Sequence, residues 1–467
     1  MLILLMVLML AGFTAVPHVL LSGKRPISKL IWIGTILVFP GAGLIGYLLI
    51  GNDRVRRRRF KRRTRQVDHP VIQRQPDSDA AGLEPEDRRL LKAVSRFCRH
   101  PVTTACGIDA YYRGGDFYAD LIASIDAARD FIHVEVYVWR SDGTGLRVLE
   151  ALVKAAERGV TVRLLVDEIG SIKVSEGFFA PLVMAGGQFS WFYTFHPRRN
   201  RYFFNLRNHR KLQIVDGRIA YLGGINIGRE YEGRDRLMGD WKDLQIKVEG
   251  DVVNHLEEVF RHDWYFATEE KFSLSGYAMP ERQDAACAAV VVESGPDTRK
   301  GVALNSLLTI IGQASDCVEL FTPYFVPESA LVSALQIAAA KGVRVRLMVS
   351  KKNDLQVLVD VARSFYDELL QAGVDIYEYD RAMHHSKLAI IDHKWVLAGS
   401  ANLDARSMSL NFELGILFRS AKLSRQLEPH FEKLFAQAQQ IDRERFARRS
   451  TYHRLRQGFF GLWAPLL

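Results

Sequence analysis

The stretch AAERGVTVRLLVD, residues 155–167, decides the fold, because its pattern returns as AAAKGVRVRLMVS at residues 338–350. In each copy a helix-like, alanine-rich segment ends at a glycine, Gly159 or Gly342, and an apolar run comes next. Glycine tolerates the left-handed backbone that commonly ends a helix. Each copy therefore predicts a helix followed by a buried strand, and the copies are offset by 183 residues (342 − 159).

The segments ahead of these copies repeat in the same order. FIHVEVYVW (131–139) and CVELFTPYFVP (317–327) are rich in β-branched and aromatic residues, which favours a strand before each helix. Strands alternating with helices indicate α/β units with a largely parallel sheet. The sequence therefore predicts an α/β fold of two halves that pack as pseudo-equivalents.

A second repeat carries the polar residues. NHRKLQIVDGRIAYLGGIN (208–226) and HHSKLAIIDHKWVLAGSAN (384–402) both read H-x-K-x4-D-x6-G-[GS]-x-N, with an offset of 176 residues (385 − 209). Two copies of so long a pattern in register indicate one function shared by both halves. The residues fixed by the motif are His209, Lys211, Asp216 and Asn226 in the first copy, and His385, Lys387, Asp392 and Asn402 in the second.

The spacing of the motif suits the binding of an anion. Histidine and lysine two positions apart on a strand point to the same face, so one ligand can meet both. Two facing halves then offer two imidazoles, two ammonium groups and two amides. One imidazole can attack phosphorus while the other protonates the leaving oxygen, and the lysines and asparagines can stabilise the transition state. This phosphodiester chemistry requires no metal and no cofactor.

Four acidic residues complete the predicted site. Asp216 and Asp392 belong to the motif, but their spacing places them away from the histidine and lysine face, which indicates a mainly structural role. A nucleophilic histidine needs its second nitrogen held, usually by a carboxylate. Asp243 in GDWKDLQI and Glu413 in SLNFELG are the candidates. The alternative is that both acids are exposed strand charges.

These residues resemble the bacterial cardiolipin synthases of the phospholipase D superfamily, over essentially the whole chain. The matching segments are NLRNHRK, GGINIG, WKDLQIKVEG, SGPD, TPYFVP, GSANLDARS and NFE, with FPGAGLIGYLLIG near the N-terminus. The resemblance implies two α/β halves around a pseudo-twofold axis and a phosphatidyl-histidine intermediate. It also implies transfer of a phosphatidyl group between two phosphatidylglycerol molecules, which gives cardiolipin and glycerol.

The resemblance also implies roles for the site residues. His209 is expected to be the nucleophile and His385 the general acid and base, with Asp243 holding His209 and Glu413 holding His385. The two histidines should then titrate apart and give a bell-shaped rate profile. The predicted catalytic set is His209, Lys211, Asp216, His385, Lys387 and Asp392, supported by Asn226, Asn402, Asp243 and Glu413.

The same motifs leave other functions open. A hydrolytic phospholipase D, a nuclease or another phosphatidyltransferase of the superfamily would use the same residues, and the headgroup of the product separates these activities. A non-catalytic membrane scaffold is a third interpretation. It is disfavoured because a scaffold does not need two intact motifs.

Two apolar runs near the N-terminus predict a membrane anchor. Residues 1–22 carry no charged side chain apart from His18, residues 30–50 carry none, and about 20 such residues span a bilayer. A cleaved signal peptide is the alternative for the first run, although a basic start and a clear cleavage site are missing. Nine basic residues at 54–65 outnumber those of the loop between the runs, which favours a cytoplasmic location for the chain beyond them. The sequence predicts a multi-pass protein of the bacterial inner (cytoplasmic) membrane with a cytoplasmic catalytic domain.

The charge distribution bears on the partners. The net charge is +10, and removing the nine basic residues at 54–65 leaves about +1 (10 − 9). Nucleic-acid binders spread positive charge over a face, whereas a basic run beside an apolar one suits anionic lipid. The run alternatively serves as a topology signal alone. The expected partners are phosphatidylglycerol, as donor and acceptor, and an anionic membrane surface, with no nucleic acid.

The predicted organisation has four parts. Polar, proline-containing sequence at 66–85 indicates a linker. Four cysteines without a C-x-x-C spacing indicate buried free thiols rather than a disulfide framework or a zinc site. The parts are an anchor with the basic run at 1–65, a linker and lead-in helix at 66–108, the first half at 109–290, and the second half with the C-terminal tail at 291–467.

Two further segments have open interpretations. Residues 196–211 interleave arginines with aromatic residues, which suits an anionic lipid at an interface or a solvated loop. The tail at 457–467, QGFFGLWAPLL, can enter the bilayer surface or pack on the core.

Overall fold

The structure is a computed structural model that covers most of the chain. It describes residues 2–22, 26–48, 83–105, 107–192, 206–233, 239–272, 287–298, 301–462 and 464. Three predicted segments lie wholly or mostly outside these residues. They are the basic run at 54–65, the linker at 66–85 and the arginine-rich segment at 196–211.

The N-terminal helices form a unit of their own. Helix α1 (Leu2–Leu20) is followed by α2 (Pro26–Val38) and α3 (Pro40–Gly46). Pro40 starts a new helix because proline lacks the N–H that a continuing helix would use. No helix in the described part of the chain is both long and apolar enough to cross a membrane. The membrane-spanning hairpin is therefore not confirmed and stays a prediction.

The first half is built on a mixed sheet. Its described strands are β2 (Ile108–Tyr111), β3 (Phe131–Val136), β4 (Thr161–Val166), β5 (Gln188–Trp191), β6 (Leu212–Val215), β7 (Ile219–Gly223) and β8 (Gln245–Glu249). They follow the order β2-β8-β7-β6-β3-β4-β5 across the sheet. β3, β4 and β5 are parallel to one another, and the other neighbouring pairs are antiparallel.

The helix between β3 and β4 has clear start and stop signals. At its first turn the Asp142 carboxylate accepts hydrogen bonds from the N–H groups of Thr144 and Gly145, both at 3.0 Å. Gly159 follows its end with φ 88°, which confirms the predicted helix end. The helices of this half are α5 (Gly114–Ala127), α6 (Gly143–Glu157), α7 (Ala180–Met184) and α8 (Val252–Thr268).

The second half repeats this arrangement on a longer sheet. Its described strands are β1 (Thr103–Ala105), β9 (Cys287–Ser294), β10 (Cys317–Thr322), β12 (Arg344–Ser350), β13 (Asp375–Tyr379), β14 (Leu388–Ile391), β15 (Trp395–Gly399), β17 (Glu413–Arg419) and β18 (Gln439–Gln440). They follow the order β1-β9-β17-β15-β14-β10-β12-β13-β18, in which the seven from β9 to β13 match the first sheet. Beside this sheet, a short strand β11 (Phe325–Val326) pairs with β16 (Leu403–Asp404).

Helices surround the second sheet as well. Gly342, with φ 86°, follows the helix between β11 and β12, as predicted. The helices are α9 (Val302–Gly312), α10 (Ser329–Ala340), α11 (Gln356–Arg363), α12 (Tyr366–Gln371), α13 (Ala405–Ser409), α14 (Ala421–Gln437), α15 (Arg443–Ala447) and α16 (Thr451–Gly461).

The expectation of a largely parallel sheet is wrong. Most neighbouring strands are antiparallel, because the segment that follows the histidine of each motif folds back on itself. The chain reverses at Asp216 and Gly217 (φ 51° and 61°) in one half, and at Asp392 and His393 (φ 50° and 53°) in the other. Short turns with left-handed backbone join antiparallel strands, whereas parallel strands need a long crossover.

The lead-in helix predicted ahead of the first half packs on the second. This helix, α4 (Pro85–Phe97), buries Leu90, Leu91 and Val94 in the core of the second half. β1 pairs with β9 at the edge of the second sheet. The segment between linker and first half therefore stabilises the half that is farther along the chain. Cys98, Cys287 and Cys317 are free thiols, and the latter two are buried.

The described part of the C-terminal tail has one face packed on the protein and one face exposed. Phe460 and the buried Ala464 pack against an apolar cluster that includes Val361. Leu455 and Phe459 are exposed on the outer side of α16. The tail thus packs on the body of the protein through one face and leaves an apolar face uncovered.

Candidate active site

Two backbone hydrogen bonds join the halves next to the predicted histidines. The N–H of His209 donates to the carbonyl oxygen of Phe412 (2.9 Å), and the N–H of His385 donates to that of Lys242 (2.7 Å). Each of these carbonyls belongs to the residue just before a predicted acid. Every histidine segment therefore lies beside the acid-bearing segment of the other half.

This crossing decides which acid holds which histidine. Nδ1 of His209 lies 3.0 Å from Oε2 of Glu413, and Nδ1 of His385 lies 2.7 Å from Oδ2 of Asp243. The expected pairs, Asp243 with His209 and Glu413 with His385, are therefore wrong. They kept each histidine with the acid of its own half, whereas the backbone bridges run between the halves. Both acids nevertheless hold a histidine, and neither is an exposed strand charge.

The two lysines lie beside their own histidines. Nζ of Lys211 donates to the carbonyl oxygen of His209 (2.6 Å), and Nζ of Lys387 donates to that of His385 (2.5 Å). Nζ of Lys387 is also 2.8 Å from the Nδ1 atom of His385. The charge of each lysine lowers the pKa of the histidine in the opposite half as well. The four side chains therefore form one cluster, as the spacing predicts.

Further hydrogen bonds fix the Glu413 carboxylate. The Ser400 hydroxyl donates to Oε2 of Glu413 (2.5 Å), and the Asn411 amide donates to Oε1 (3.3 Å). Ser400 is the variable position of the Gly-[GS] motif, and Asn411 stands two residues before the acid. Neither Ser400 nor Asn411 was among the predicted site residues, so these roles were missed.

The Asp243 carboxylate is fixed by other groups. Its Oδ1 accepts a hydrogen bond from the N–H of Leu244 (2.8 Å), and its Oδ2 lies 3.4 Å from the indole nitrogen of Trp241. Gly224 occupies the position that corresponds to Ser400. A Cβ atom at Gly224 would lie 2.0 Å from Oδ1 of Asp243, so the carboxylate requires glycine there.

The two asparagines differ in their contacts. Oδ1 of Asn226 accepts a hydrogen bond from the N–H of Val138 (3.0 Å), and its amide donates to the hydroxyl of Tyr231 (2.8 Å). Asn226 therefore holds the segment after β3. Oδ1 of Asn402 is buried and has no hydrogen-bond partner among the described residues. The two asparagines therefore differ in whether the side-chain oxygen is hydrogen-bonded within the described residues.

The motif aspartates lie away from the histidines. The Asp216 carboxylate accepts hydrogen bonds from the N–H groups of Asp130 (2.8 Å) and Phe131 (2.9 Å), where β3 begins. The Asp392 carboxylate does the same for Asp316 (2.8 Å) and Cys317 (3.1 Å) at the start of β10. Each aspartate joins its strand turn to the central strand of its sheet, in line with the structural role expected for both.

Burial lowers the pKa values of the histidines and lysines of the cluster. It lowers the pKa of His209 to about 4, with Glu413 opposing the shift, and it lowers the pKa of His385 to about 4, with Lys387 adding to it. Burial also lowers the pKa of Lys211 to about 7 and of Lys387 to about 8. Both imidazoles are therefore neutral at pH 7. The expected separation of the two histidine pKa values is absent.

The acids remain ionised despite their burial. Burial by itself would raise the pKa of Glu413, but the neighbouring His209 and Lys211 outweigh it and the pKa is lowered. The pKa of Asp243 is lowered in the same way, by His385 and Lys387. Two buried carboxylates thus face two neutral imidazoles, an arrangement that orients each ring with its Nδ1–H toward an acid.

Three residues near the cluster were missed from the sequence. The ring of Tyr137 lies edge-on to His209 (centroids 4.8 Å apart), and the ring of Tyr324 lies edge-on to His385 (6.3 Å). Arg210, fully buried, forms ion pairs with Asp263 and Glu293 behind the motif. The tyrosines stand just after the strands FIHVEV and CVELFT, which was the available signal. Arg210 stands in the segment at 196–211 that was predicted to meet anionic lipid or to be a solvated loop, and its full burial contradicts both interpretations for this residue. Its ion-pair partners lie far along the chain.

Comparison with known families agrees with this geometry. The family described as "Cardiolipin synthase, PLD-like domain" matches residues 121–264 and 307–435, and "Phospholipase_D-nuclease N-terminal" matches residues 11–52. The chain belongs to the cardiolipin synthase family of phospholipase D-like proteins. The family predicted from the paired motifs is confirmed, as are the two phospholipase D-like halves and the enzyme class.

Two curated relatives extend over almost the whole chain. A cardiolipin synthase of Geobacillus kaustophilus (strain HTA426) is 32% identical over 96% of this chain and 90% of its own. A cardiolipin synthase of Clostridium perfringens (strain ATCC 13124) is 33% identical over 95% of each chain. Among solved structures, phosphatidylserine synthase from Haemophilus influenzae Rd KW20 superposes with a TM-score of 0.61 and 14% identity. It covers 81% of this chain and 98% of its own, a likeness of fold.

Proposed function

We propose that this protein is a cardiolipin synthase that transfers a phosphatidyl group from one phosphatidylglycerol to another and releases glycerol. The observation that carries the proposal is the pair of crossed histidine and carboxylate contacts, His209 with Glu413 and His385 with Asp243. Two neutral imidazoles beside two lysines suit a phosphodiester, which is anionic and needs both a nucleophile and a proton donor.

In the first step Nε2 of His209 attacks the phosphorus of the donor. A P–N bond forms, the P–O bond to the glycerol headgroup breaks, and His385 gives a proton to the departing oxygen. Glu413 holds the Nδ1–H of His209 and stabilises the positive ring that results. Lys211 and Lys387 offset the charge of the equatorial phosphoryl oxygens.

In the second step the acceptor reverses this exchange. A hydroxyl of the second phosphatidylglycerol gives its proton to His385 and attacks phosphorus, and the P–N bond to His209 breaks. Cardiolipin leaves, and both histidines return to their starting protonation.

The binding of the donor also favours protonation of His385, which takes the proton it needs from the solvent. In the free protein the charge of Lys387 opposes protonation of His385. An anionic phosphate bound against the lysines offsets this charge, so the pKa of His385 rises toward neutrality when substrate is present. Asp243 then stabilises the imidazolium.

The substrate and product are tested together by expressing this chain in a bacterium that lacks cardiolipin and analysing its lipids by mass spectrometry. The expected result is cardiolipin, absent when the His209→Ala variant is expressed. Accumulation of phosphatidic acid instead would identify a hydrolytic phospholipase D. An unchanged lipid profile with the protein present in the membrane would contradict both activities.

The proposal includes a place in the cell. The two apolar runs at 1–22 and 30–50 anchor the protein in the bacterial inner membrane, and the basic run at 54–65 holds the catalytic part, from 109 to 467, at the cytoplasmic face. Protease added to sealed spheroplasts should leave this part intact. Its digestion from outside would reverse the proposed orientation.

A further inference from the structure

A cluster of metal-binding side chain types lies outside the candidate active site. His100 follows α4, and His255 and Glu258 stand one turn apart on the same face of α8. One possible ligand atom from each of the three lies within 4.8 Å of both others. Nδ1 of His100 is 3.7 Å from Oε2 of Glu258, beyond hydrogen-bond distance. The three groups thus face one another without bonding.

The histidines of this cluster have unsatisfied nitrogens. Among the described residues, Nδ1 of His100 and Nδ1 of His255 are buried without a hydrogen-bond partner, and the two residues are only 1% and 4% exposed. A buried imidazole nitrogen normally has a partner, because an unpaired one loses its hydrogen bond to water and gains none in return.

The second ring nitrogen of His100, Nε2, has the kind of partner that a metal-bound histidine usually has. Its Nε2 lies 3.3 Å from Oε2 of the buried Glu293 on β9. A metal-bound histidine typically donates its second N–H to a carboxylate, which fixes the ring and strengthens its basicity. Glu293 stands in that position. Glu258 forms no other ion pair within the described residues, so its carboxylate is available to a cation.

We propose that His100, His255 and Glu258 bind one zinc ion, with Glu293 orienting His100. Two imidazoles and a carboxylate are a common zinc ligand set, completed by a water molecule. Zinc to nitrogen and oxygen distances of about 2.0–2.2 Å require the three ligand atoms to move slightly closer together. The ion would neutralise Glu258 and satisfy the buried nitrogens at once.

The site is structural and lies outside the reaction path. It ties the segment after α4, which belongs with the second half, to α8 of the first half. Glu293 also pairs with Arg210, the residue between His209 and Lys211 (Nη2 to Oε1, 3.0 Å). The zinc ion would therefore steady, through His100 and Glu293, the segment just before β6 that carries His209 and Lys211.

The test measures the metal itself. Full-length protein without a polyhistidine tag is purified in detergent, equilibrated with Zn²⁺, freed of excess metal and analysed by inductively coupled plasma mass spectrometry. We expect about one zinc ion per chain and a higher melting temperature with zinc than after chelation. The variants His255→Ala and Glu258→Gln should bind zinc at least about tenfold more weakly.

His430→Ala is the control, since His430 is a partly buried histidine on another helix, α14, and does not belong to the cluster. It should keep its zinc. Zinc-free folded wild type, or equal zinc binding by Glu258→Gln and wild type, would overturn the proposal. Glu258 is partly exposed, so Glu258→Gln decides the matter even if His255→Ala fails to fold.

Discussion

The two half-sites use the same motif but hold their carboxylates differently. Glu413 receives the Ser400 hydroxyl and the Asn411 amide, whereas Asp243 receives a backbone N–H and lies against Gly224, which leaves no room for a side chain. The longer acid stands opposite serine and the shorter acid opposite glycine. Glu413 with Ser400 and Asp243 with Gly224 therefore form two pairs, in each of which the size of the acid suits the residue that faces it.

A second difference concerns the histidines. Among the described residues, Nδ1 of His209 lies within hydrogen-bond distance of the two oxygens of Glu413, while Nδ1 of His385 has both Asp243 and the ammonium group of Lys387 within 2.8 Å. The adjacent cation disfavours protonation of His385 in the free protein. In the proposed mechanism His209 is the neutral nucleophile, and His385 is the histidine that gains a proton when the substrate binds.

The largest expected effect separates the histidines. His209→Ala should form no covalent adduct with any labelled donor and should lose activity by roughly 10³-fold or more, because the nucleophile is gone. His385→Ala should still accept a phosphatidyl group from a nitrophenyl donor, whose leaving group needs no proton. Rapid quench and trapping of the acid-labile, base-stable phosphoramidate measures both.

Wild type on the same donor is the control for this experiment. An adduct in His209→Ala with none in His385→Ala would reverse the assignment. No adduct in the wild type would argue against a covalent intermediate.

The next effect tests the crossed pairing. Glu413→Gln should slow adduct formation by roughly 10²- to 10⁴-fold, since it removes the group that orients His209. Asp243→Asn should slow turnover of phosphatidylglycerol by a similar factor but spare adduct formation from the nitrophenyl donor. Single-turnover rates with both donors distinguish the variants. The opposite pattern would mean that the acids act within their own halves.

A smaller effect is expected at Ser400. Ser400→Ala removes a hydrogen bond to a buried carboxylate, worth about 1.5–3 kcal/mol, so kcat/KM should fall by about tenfold to a hundredfold with the fold retained. Ser409→Ala is the control, because the Ser409 hydroxyl bonds Glu328, away from the histidines. Equal rates for Ser400→Ala and wild type would show that Glu413 is held without the serine.

The smallest effect is the pH dependence. The kcat/KM of the free enzyme should fall below about pH 4 to 5, where the imidazoles gain protons, since their pKa values are lowered to about 4. It should fall again above about pH 7 to 8, where Lys211 and Lys387 lose theirs. If the lysines cause this alkaline decline, it persists in His385→Ala assayed with the nitrophenyl donor. If the alkaline decline is absent in His385→Ala, the decline in the wild type is caused by His385.

Much of the fold could be read from local patterns. Gly159 and Gly342 ended the predicted helices because only a residue free of Cβ crowding adopts their φ angles of 88° and 86° cheaply. The strands FIHVEV and CVELFT were equally plain, since β-branched and aromatic residues favour extended backbone. The strand directions were predicted wrongly, because the prediction rested on the strand–helix–strand segments at 131–167 and 317–350 alone. The tight turns at Asp216 and Asp392, which join antiparallel strands, lie outside those segments.

The sequence by itself determined the duplication, the α/β class, the family and the ten residues of the candidate site, because each is encoded in residue types at fixed spacing. Only the tertiary structure decided which acid meets which histidine and that Asn226 holds backbone. It also decided that α4 packs on the second half and that His100 meets α8. These contacts join segments from different parts of the chain, and sequence spacing carries no information about how two such segments pack.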